Sequence, residues 1–369
     1  MEGYFNTRDL SVGYHGNVLI HDINIRIEKG KILTLIGPNG AGKSTILKSI
    51  TRHLRTIGGT VTVENRDVAQ WSVKEMAKQM AVVLTERIRP ELMSCRDVVA
   101  MGRYPYTTMM GRLTREDQQA VEEALSRVHG EALADQDFMT LSDGQKQRIM
   151  LARAICQDPQ IIVLDEPTAY LDIRHKVELL DILRQMAREK NITVIMSLHE
   201  IDLATRISDY LLCVKGDTIE RFGPPEEILQ QDTIEKLYDL PPGSYNLLFG
   251  SVELRKPAGR AQVFVVGGGG FGIRCYRTLQ KKNIPFAAGI LYENDVDFPV
   301  ARVLAEQVIS APAFQPVEED LLEKAQKLLK SCGRVVNAGA PIGPYNQFQQ
   351  ALLKLAEEEK IPVLSPDQI

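Results

Sequence analysis

A glycine-rich segment followed at once by a lysine and two hydroxyl side chains carries the clearest chemistry in the sequence. Residues 37–45 read GPNGAGKST, which fits the pattern GxxxxGK[ST] of phosphate-binding loops. Glycines let successive backbone N–H groups face a phosphate, and a helix that begins at the lysine adds partial positive charge. We expect Lys43 to contact the β- and γ-phosphates and Ser44 to ligate Mg²⁺. The predicted nucleotide-binding residues are Gly37, Pro38, Asn39, Gly40, Ala41, Gly42, Lys43, Ser44 and Thr45.

Two carboxylates follow a run of four aliphatic residues at 161–164. A continuous apolar run of this length is typical of a buried parallel strand, which would deliver both acids to the edge of a sheet. We expect Asp165 to enter the Mg²⁺ shell. Glu166 is expected to lie beside the γ-phosphate and to polarise an attacking water. The sequence therefore predicts a catalytic site for phosphoryl transfer to water, with Lys43 and Glu166 as catalytic residues.

The elements around these motifs predict an α/β fold. Alternation in 5–12 and 23–27 indicates an antiparallel edge, and the strand 32–36 leads into the glycine-rich loop. The pattern from about 72 to 158 is mostly helical, with a helix start at Thr114 and acids in the first turn. Apolar runs at 161–164 and 194–197 flank a helix at 176–190, as in a parallel sheet.

The segment LSDGQ, just upstream of these carboxylates, resembles the LSGGQ signature of the nucleotide-binding subunits of ABC transporters. The resemblance covers about residues 4–240. It implies a P-loop NTPase of ABC type with a parallel core sheet, an antiparallel β edge and a helical subdomain. It also implies ATP as substrate and a head-to-tail homodimer, because the signature of one subunit acts on the ATP of the other. A helix N-terminus there would form an anion site. The signature residues are Leu141, Ser142, Asp143, Gly144 and Gln145.

Three further residues take roles by the same resemblance. Tyr14 is similar to the aromatic residue that stacks on adenine, although a strand tyrosine can instead pack on its neighbours. Asp172 resembles the carboxylate that crosses the dimer and acts on the partner subunit's ATP. His199 resembles the switch histidine, and it follows an apolar strand from which it can reach the γ-phosphate and orient water or Glu166.

The sequence departs from the family pattern at two positions. Asp143 stands where the family's signature usually has glycine and puts an acid near an anionic ligand, unless it points away or helps to cap the helix. Glu86 fills the place of a glutamine and could offer an oxygen to Mg²⁺ or its water, or lie on a surface loop. We expect weaker ATP affinity and atypical kinetics rather than lost function.

The stretches MGRYP at 101–105 and GRLT at 111–114 resemble the ATPases of iron-siderophore, haem and cobalamin importers. In those importers this region receives the coupling helix of an integral-membrane permease. The resemblance implies a peripheral position on the cytoplasmic face of the membrane and an indirect link to a substrate-binding lipoprotein. Tyr104 and Pro105 are expected to be exposed for docking. The alternatives are a soluble ABC ATPase of the iron–sulfur cluster assembly type and a regulatory ATPase with a sensor domain.

Bulk composition agrees with a cytoplasmic protein. The 369 residues allow two or three domains, and the net charge of −4 gives no electrostatic reason to expect nucleic acid as a partner. Five scattered cysteines form no CxxC pair, which favours a reducing compartment. The sequence shows neither a signal peptide nor an apolar stretch of about 18 residues that could span a bilayer.

A second domain is predicted after a stretch rich in proline and glycine. We assign 1–245 to the ATP-binding domain, 246–259 to a linker and 260–369 to a small Rossmann-like domain, because β/α alternation resumes there. Gly267, Gly269 and Gly272 form GxGxxG between a strand and a helix, and Glu293 lies about where a ribose-binding acid is expected. Asp295 and Asp297 are nearby alternatives for that acid. An unidentified small ligand or a purely structural, dimer-bracing role remain equal alternatives for this domain.

Overall fold

The chain folds into two units, Met1–Gln230 and Gln231–Ile369, in the computed structural model. The structure describes residues 3–84, 90, 92–107, 112–230, 232–247 and 249–369. Among the helices in these ranges, none has the length and apolarity that crossing a membrane requires.

The division comes earlier than the predicted end of the first domain at 245, and the segment predicted as a linker contributes to a short hairpin. Within it, Ser251–Val252 pairs with Tyr245–Asn246 as a short antiparallel hairpin. Glu253 is buried and forms an ion pair with Arg277 of the second unit. A buried charge with a partner needs a fixed backbone, so this segment belongs to the second unit.

The elements of the first unit alternate between strands and helices. Its strands are β1 (Phe5–Tyr14), β2 (Asn17–Ile27), β3 (Ile32–Ile36), β4 (Gly58–Val63), β5 (Arg66–Asp67), β6 (Met80–Val83), β7 (Ile161–Leu164), β8 (Thr193–Ser197), β9 (Tyr210–Lys215) and β10 (Thr218–Gly223). Its helices are α1 (Lys43–Ile50), α2 (Val73–Gln79), α3 (Cys95–Ala100), α4 (Arg115–Arg127), α5 (Asp143–Cys156), α6 (Ile173–Glu189), α7 (Ile201–Ile207) and α8 (Pro225–Ile228).

Two sheets form the first unit, as predicted. An antiparallel sheet has the order β2-β1-β4-β5, and a mostly parallel sheet has the order β10-β9-β3-β8-β7-β6. Every residue of β3, β7 and β8 is buried, which explains why their sequences are mostly apolar. Since β3, β8 and β7 are neighbours and run parallel, the loops at their carboxyl ends meet at one edge.

The helical region also follows the prediction, apart from β6 within it. Thr114 caps α4 through a capping box with Asp117, which confirms the helix start read from the sequence. Asp117 is buried and accepts a hydrogen bond of 2.8 Å from Arg103 Nε. Burial alone would raise the pKa of Asp117, but the hydrogen bonds from Thr114 and Arg103 hold it below its usual value.

The second unit is a parallel α/β sheet, which confirms the predicted alternation. Its strands are β11 (Tyr245–Asn246), β12 (Ser251–Val252), β13 (Val263–Val266), β14 (Phe286–Tyr292), β15 (Gln307–Ala311), β16 (Arg334–Asn337) and β17 (Val363–Leu364). Its helices are α9 (Thr233–Leu237), α10 (Gly272–Lys281), α11 (Phe298–Leu304), α12 (Glu319–Lys330) and α13 (Gln347–Glu358). The helix α11 and the strand β15 were not predicted. Pro299 reads as a helix breaker but lies in the first turn of α11, where its missing N–H costs nothing.

The strand order in this sheet is β15-β14-β13-β16-β17, with all neighbours parallel. The chain leaves β13 for β14 on one side and later returns to β16 on the other side. A topological switch point therefore lies between β13 and β16, where open parallel sheets have a crevice at their carboxyl edge.

Candidate active site

The glycine-rich loop turns tightly between β3 and α1. Gly37 has φ 150°, and a Cβ there would overlap the carbonyl oxygen of Val214. Gly42 caps α1 in the left-handed region, with φ 91°. Both positions therefore require glycine. Lys43 follows directly and is 5% exposed.

The Lys43 ammonium donates to two carbonyl oxygens of its own loop, Gly37 O at 2.8 Å and Pro38 O at 3.0 Å. Burial lowers the pKa of Lys43, while the negative charges of Glu166 and Asp165 act in the opposite direction. The two motifs predicted to share a site thus lie close enough for their charges to interact.

Asp165 is a buried residue that links the other elements of the site through hydrogen bonds. Its Oδ1 accepts hydrogen bonds from Ser44 Oγ at 3.0 Å and from Ser197 Oγ at 2.8 Å. It is 2% exposed. The first turn of α1, the end of β7 and the end of β8 are therefore joined through one carboxylate oxygen.

Glu166 and His199 are in direct contact. His199 Nε2 lies 2.7 Å from Glu166 Oε1, and both side chains are partly exposed. Glu166 has φ 50°, a left-handed conformation that costs a side-chain-bearing residue free energy and often marks functional sites. Its backbone N–H donates to Ser197 Oγ at 2.8 Å. Ser197 therefore holds both the Asp165 carboxylate and the Glu166 backbone.

The sequence reading missed Ser197 and Glu200. Ser197 closes the buried strand β8, and its hydroxyl was hidden by the apolar run that precedes it. Glu200 accepts a hydrogen bond from Thr168 Oγ1 at 2.9 Å and forms an ion pair with Lys176. Burial acts to raise the pKa of Glu200, but the bonds from Lys176 and Thr168 outweigh it and lower the pKa. The residue after His199 thus ties its loop to α6.

Tyr14 lies beside the glycine-rich loop. Its hydroxyl oxygen is 3.3 Å from Thr45 Oγ1, and its side chain is 46% exposed. A half-exposed ring at the edge of a phosphate loop has a free surface for a planar ligand.

The residues 37–45 and their carboxylate partners offer a fit for Mg²⁺. A serine hydroxyl and a carboxylate already point at each other, and both are the hard oxygen ligands that Mg²⁺ prefers. Within the described ranges there is no group of three or more His, Cys, Asp or Glu side chains that could hold a metal. Two protein ligands suffice for Mg²⁺ when substrate phosphates and water supply the others. Glu86, the third predicted ligand, lies outside the described residues.

The LSDGQ segment begins α5. Ser142 and Gln145 form a capping box, with Ser142 Oγ accepting from Gln145 N at 3.3 Å. Ser142 is the side-chain cap, and Asp143 is the first helical residue, where a negative charge suits the helix dipole. Leu141 is buried before the cap, and Gly144 packs against Leu171.

A cavity of about 460 Å³ lies in front of this helix start. The described residues that line it come from α5 and its cap, the loop before α6, the first turn of α6 and the segment 129–133, and none belongs to the loop 37–45. The signature therefore does not face the phosphate loop of its own chain.

Asp172 caps its own helix, α6. Its Oδ1 accepts from His175 N at 2.9 Å, and its Oδ2 lies 2.9 Å from His175 Nδ1. The backbone bond from His175 is the main cause that lowers the pKa of Asp172. The carboxylate is 62% exposed and borders the cavity in front of the start of α5.

The expected docking stretch at 101–105 is only partly exposed. Tyr104 is 80% exposed, but Pro105 is buried, contrary to the prediction. Arg103 holds the turn in place, because it bonds to Asp117 and its guanidinium lies 3.9 Å from the ring centroid of Tyr106. Gly111, the first residue of the second stretch, lies outside the described part of the chain.

The GxGxxG loop of the second unit has its backbone donors engaged by aspartates. Gly269 N donates to Asp295 Oδ2 at 2.8 Å, and Gly272 N donates to Asp297 Oδ2 at 2.8 Å. In a dinucleotide site these donors would face a pyrophosphate. Gly267 contributes its carbonyl oxygen to Gln349 Nε2 at 2.8 Å.

Glu293, the expected ribose-binding acid, is exposed at the end of β14. The two aspartates read as its alternatives instead fill the loop. Asp297 is fully buried, and burial raises its pKa although backbone N–H groups at the loop act against this. The glycine motif is thus explained by hydrogen bonds from its backbone N–H groups to two aspartates of the same unit. The sequence could not show this, because the aspartates lie in the loop after the next strand.

Comparison with known proteins places these motifs among relatives. The sequence matches the family model described as ABC transporter over residues 20–169 and the model described as MJ0874 family over residues 286–368. It is 42% identical over 286 residues to an uncharacterized ABC transporter ATP-binding protein of Methanocaldococcus jannaschii, covering 77% of this chain and 99% of that protein.

Two relatives have named import roles. The iron(3+)-hydroxamate import ATP-binding protein FhuC of Bacillus subtilis is 36% identical over 235 residues, which is 64% of this chain and 87% of that protein. The cobalamin import ATP-binding protein BtuD of Halobacterium salinarum is 31% identical over 325 residues, or 86% and 81%. A dimeric ATP-binding cassette solved with ADP and Pi shares the fold, with a TM-score of 0.54, 23% identity and coverage of 60% and 98%.

Proposed function

Because this chain belongs to the family of ABC transporter ATP-binding proteins, which are ATPases, we propose that it hydrolyses ATP to drive the uptake of an iron complex (a siderophore or haem) or of cobalamin across the cytoplasmic membrane. The contact between Glu166 and His199 carries the enzymatic part of this proposal. The import roles of the relatives FhuC and BtuD support the cargo class.

In the proposed mechanism, residues 37–45 bind the phosphates of ATP and Tyr14 stacks on the adenine. Ser44 and Asp165 would hold Mg²⁺, which would neutralise charge on the phosphate oxygens, and Glu86 is proposed as a further oxygen ligand. Lys43 exchanges its bonds to loop carbonyls for bonds to phosphate oxygens, which removes the cost of keeping an ammonium buried beside backbone oxygens alone.

Glu166 acts on the attacking water. The carboxylate accepts a proton from the water while the water oxygen forms a bond to the γ-phosphorus. At the same time, the bond between that phosphorus and the ADP oxygen breaks. His199 Nε2 holds the Glu166 carboxylate in position and contacts the γ-phosphate. Ser197 fixes the backbone at Glu166 and the side chain of Asp165 together.

The site is completed by a second copy of the chain in the proposed dimer. The signature helix start opens onto a cavity without residues of its own phosphate loop, which supports a head-to-tail arrangement. Ser142 and Gly144 would meet the γ-phosphate bound by the partner, and Asp172 would lie at the same junction. ATP binding closes the dimer, and hydrolysis reopens it.

Permease subunits are the proposed membrane partners, and this chain works from the cytoplasmic face as a peripheral subunit. A substrate-binding lipoprotein is an indirect partner of the same importer. The exposed Tyr104 on a turn held by the Arg103–Asp117 pair supports this region as the docking surface. A rigid turn with an exposed aromatic side chain suits a helix of the permease.

Gene disruption tests the transport proposal. Cells that lack this chain should lose uptake of one of three labelled cargoes, a ferric siderophore, haem or cobalamin. Expression of the native chain should restore that uptake, and Lys43→Ala should not. Lys190→Ala, which changes an exposed lysine at the end of α6, is the matched control and should restore uptake fully.

Unchanged uptake of all three cargoes, with ATPase activity intact in the purified chain, would contradict the import role. That result would favour the soluble ATPase of cluster assembly instead. ATPase activity of the purified variants tests the enzymatic claim separately from transport. Lys43→Ala should lose this activity, and Lys190→Ala should keep it at the wild-type level.

A further inference from the structure

A cavity of about 120 Å³ lies in the second unit at the switch point of its sheet. Its walls come from the GxGxxG loop after β13, the end of β14, and the segments around Ala340 and α13. Ligands of open parallel sheets bind at this edge. The volume is close to that of the cavities of about 150 Å³ that hold a benzene ring, so it suits a compact group rather than a dinucleotide.

An anionic ligand is disfavoured in this cavity. Asp295 lines it, and its carboxylate already accepts the N–H of Gly269. Asp297 likewise accepts from Gly272 and Ile273 below the loop. The donors that would stabilise a phosphate are therefore engaged, and a negative charge would meet a carboxylate at close range.

Three aromatic side chains line the same cavity, Phe271, Tyr292 and Phe348. Tyr292 and Phe348 pack edge to face, with ring centroids 6.0 Å apart. Phe271 is 46% exposed. No lysine or arginine is among the described lining residues. Aromatic faces carry partial negative charge and attract cations. A nearby carboxylate adds a direct charge–charge attraction.

The polar amides of the wall are held in place. Gln349 donates to Gly267 O at 2.8 Å, and Asn346 accepts from Gly343 N at 2.6 Å. Gly268 lies so close that a Cβ there would come 3.0 Å from Asp295 Oδ2 and 3.1 Å from Gln349 Nε2. The cavity is therefore shaped by interlocked groups, which favours a preformed site.

We propose that this cavity binds a compact organic cation, such as a quaternary ammonium or guanidinium group, between the rings of Phe271, Tyr292 and Phe348 and the carboxylate of Asp295. This site is separate from the ATP site and goes beyond the proposed transport function. An organic cation is proposed here in place of the dinucleotide that the glycine motif alone suggests.

Calorimetric titration of the full chain, with MgADP saturating the ATP site, tests the proposal. Tetramethylammonium and guanidinium are the cationic probes, and tert-butanol and urea are their neutral counterparts of similar shape. We expect at least one cation to bind about tenfold more tightly than its neutral counterpart, within the range of cation–π and charge effects. Equal binding of the neutral probe, or no binding by either cation, would overturn the proposal.

Two variants locate the site. Asp295→Asn keeps an oxygen acceptor for Gly269 but removes the charge, and Phe348→Leu removes one ring. Each should weaken the cation about tenfold. Asp367→Asn, which neutralises an exposed acid paired with Arg274 in the same unit, should leave binding unchanged. If Asp295→Asn and Phe348→Leu both bind the cation like the native chain, the cavity is not the site.

Discussion

His199 Nε2 lies 2.7 Å from Glu166 Oε1, at the junction between two neighbouring parallel strands. The two residues are 33 positions apart in sequence, and only the pairing of β7 with β8 brings them together. Glu166 reaches this position from a left-handed backbone conformation that its hydrogen bond to Ser197 supports. The contact places a carboxylate and an imidazole where the γ-phosphate of ATP is proposed to react.

Glu166→Gln should lower ATP turnover about 100- to 10,000-fold, because an amide cannot accept the proton of the attacking water. ATP binding should persist, so the variant should accumulate as an ATP-bound dimer in size-exclusion chromatography. Phosphate release measures the turnover. Glu189→Gln, an exposed acid on α6, is the control. Near-native turnover in Glu166→Gln would remove this residue from the catalytic role.

Ser197→Ala should destabilise the first unit by about 1–3 kcal/mol, because the buried hydroxyl bonds both Asp165 Oδ1 and Glu166 N. It should also reduce turnover, since the Asp165 carboxylate and the backbone at Glu166 each lose a hydrogen bond that holds them in position. Urea denaturation and phosphate release are the two measurements. Ser208→Ala also removes a hydroxyl hydrogen bond, to Thr34, but lies away from the site. Equal turnover in the two variants would limit Ser197 to a structural role.

Asp143→Asn, made in the Glu166→Gln background, should tighten the ATP-dependent dimer about three- to tenfold, because it removes a like charge facing the partner's phosphates. The gain should shrink as salt is raised, since the charge is screened. Analytical ultracentrifugation gives the dimer affinity. Asp181→Asn, an exposed acid on α6, serves as the control. A dimer affinity that Asp143→Asn leaves unchanged at low salt would show that Asp143 points away from the nucleotide.

Asp117→Asn should destabilise the first unit by about 3 kcal/mol near neutral pH, because it leaves Arg103 without its buried partner. The hydrogen bonds from Thr114 and Arg103 hold the folded-state pKa of Asp117 below its ordinary value of 3.8. Its stabilising contribution is therefore complete above that pH and is lost as the pH falls through the folded-state pKa.

Denaturation of the native chain and of Asp117→Asn between pH 7 and pH 3 tests this. The difference between their free energies of unfolding should narrow in acid. Asp135→Asn, in an exposed pair with Arg96, should change stability little. A difference that stays constant down to pH 3 would contradict this assignment.

Gly272→Ala should destabilise the second unit by about 1–3 kcal/mol, because the added Cβ would overlap the Tyr276 hydroxyl and come 2.8 Å from Asp297 Oδ2. Hydrogen exchange read by mass spectrometry should show faster exchange in β13 and α10. Gly333→Ala, whose Cβ would meet no atom closer than 3.9 Å, is the matched control. Native exchange rates in Gly272→Ala would show that the loop accommodates the added Cβ, contrary to the close contacts at this position.

The sequence alone determined the order and type of the catalytic motifs. The loop 37–45, the carboxylates at 165 and 166, and the signature segment are local patterns, because each needs only a strand end or a helix start beside it. The same is true of the capping box at Thr114 and of the strands β7 and β13, whose apolar runs reflect burial on both faces. These features could be read without knowing which strands are neighbours.

The tertiary structure alone decided which side chains meet. Ser197 joins Asp165 to Glu166 because β8 lies beside β7, and Asp295 and Asp297 fill a glycine loop because β14 lies beside β13. A hydroxyl or carboxylate at a strand end looks the same in sequence whether its partner is water, a ligand or another strand's loop. Strand order sets that partner, and strand order depends on long-range packing that no local pattern contains.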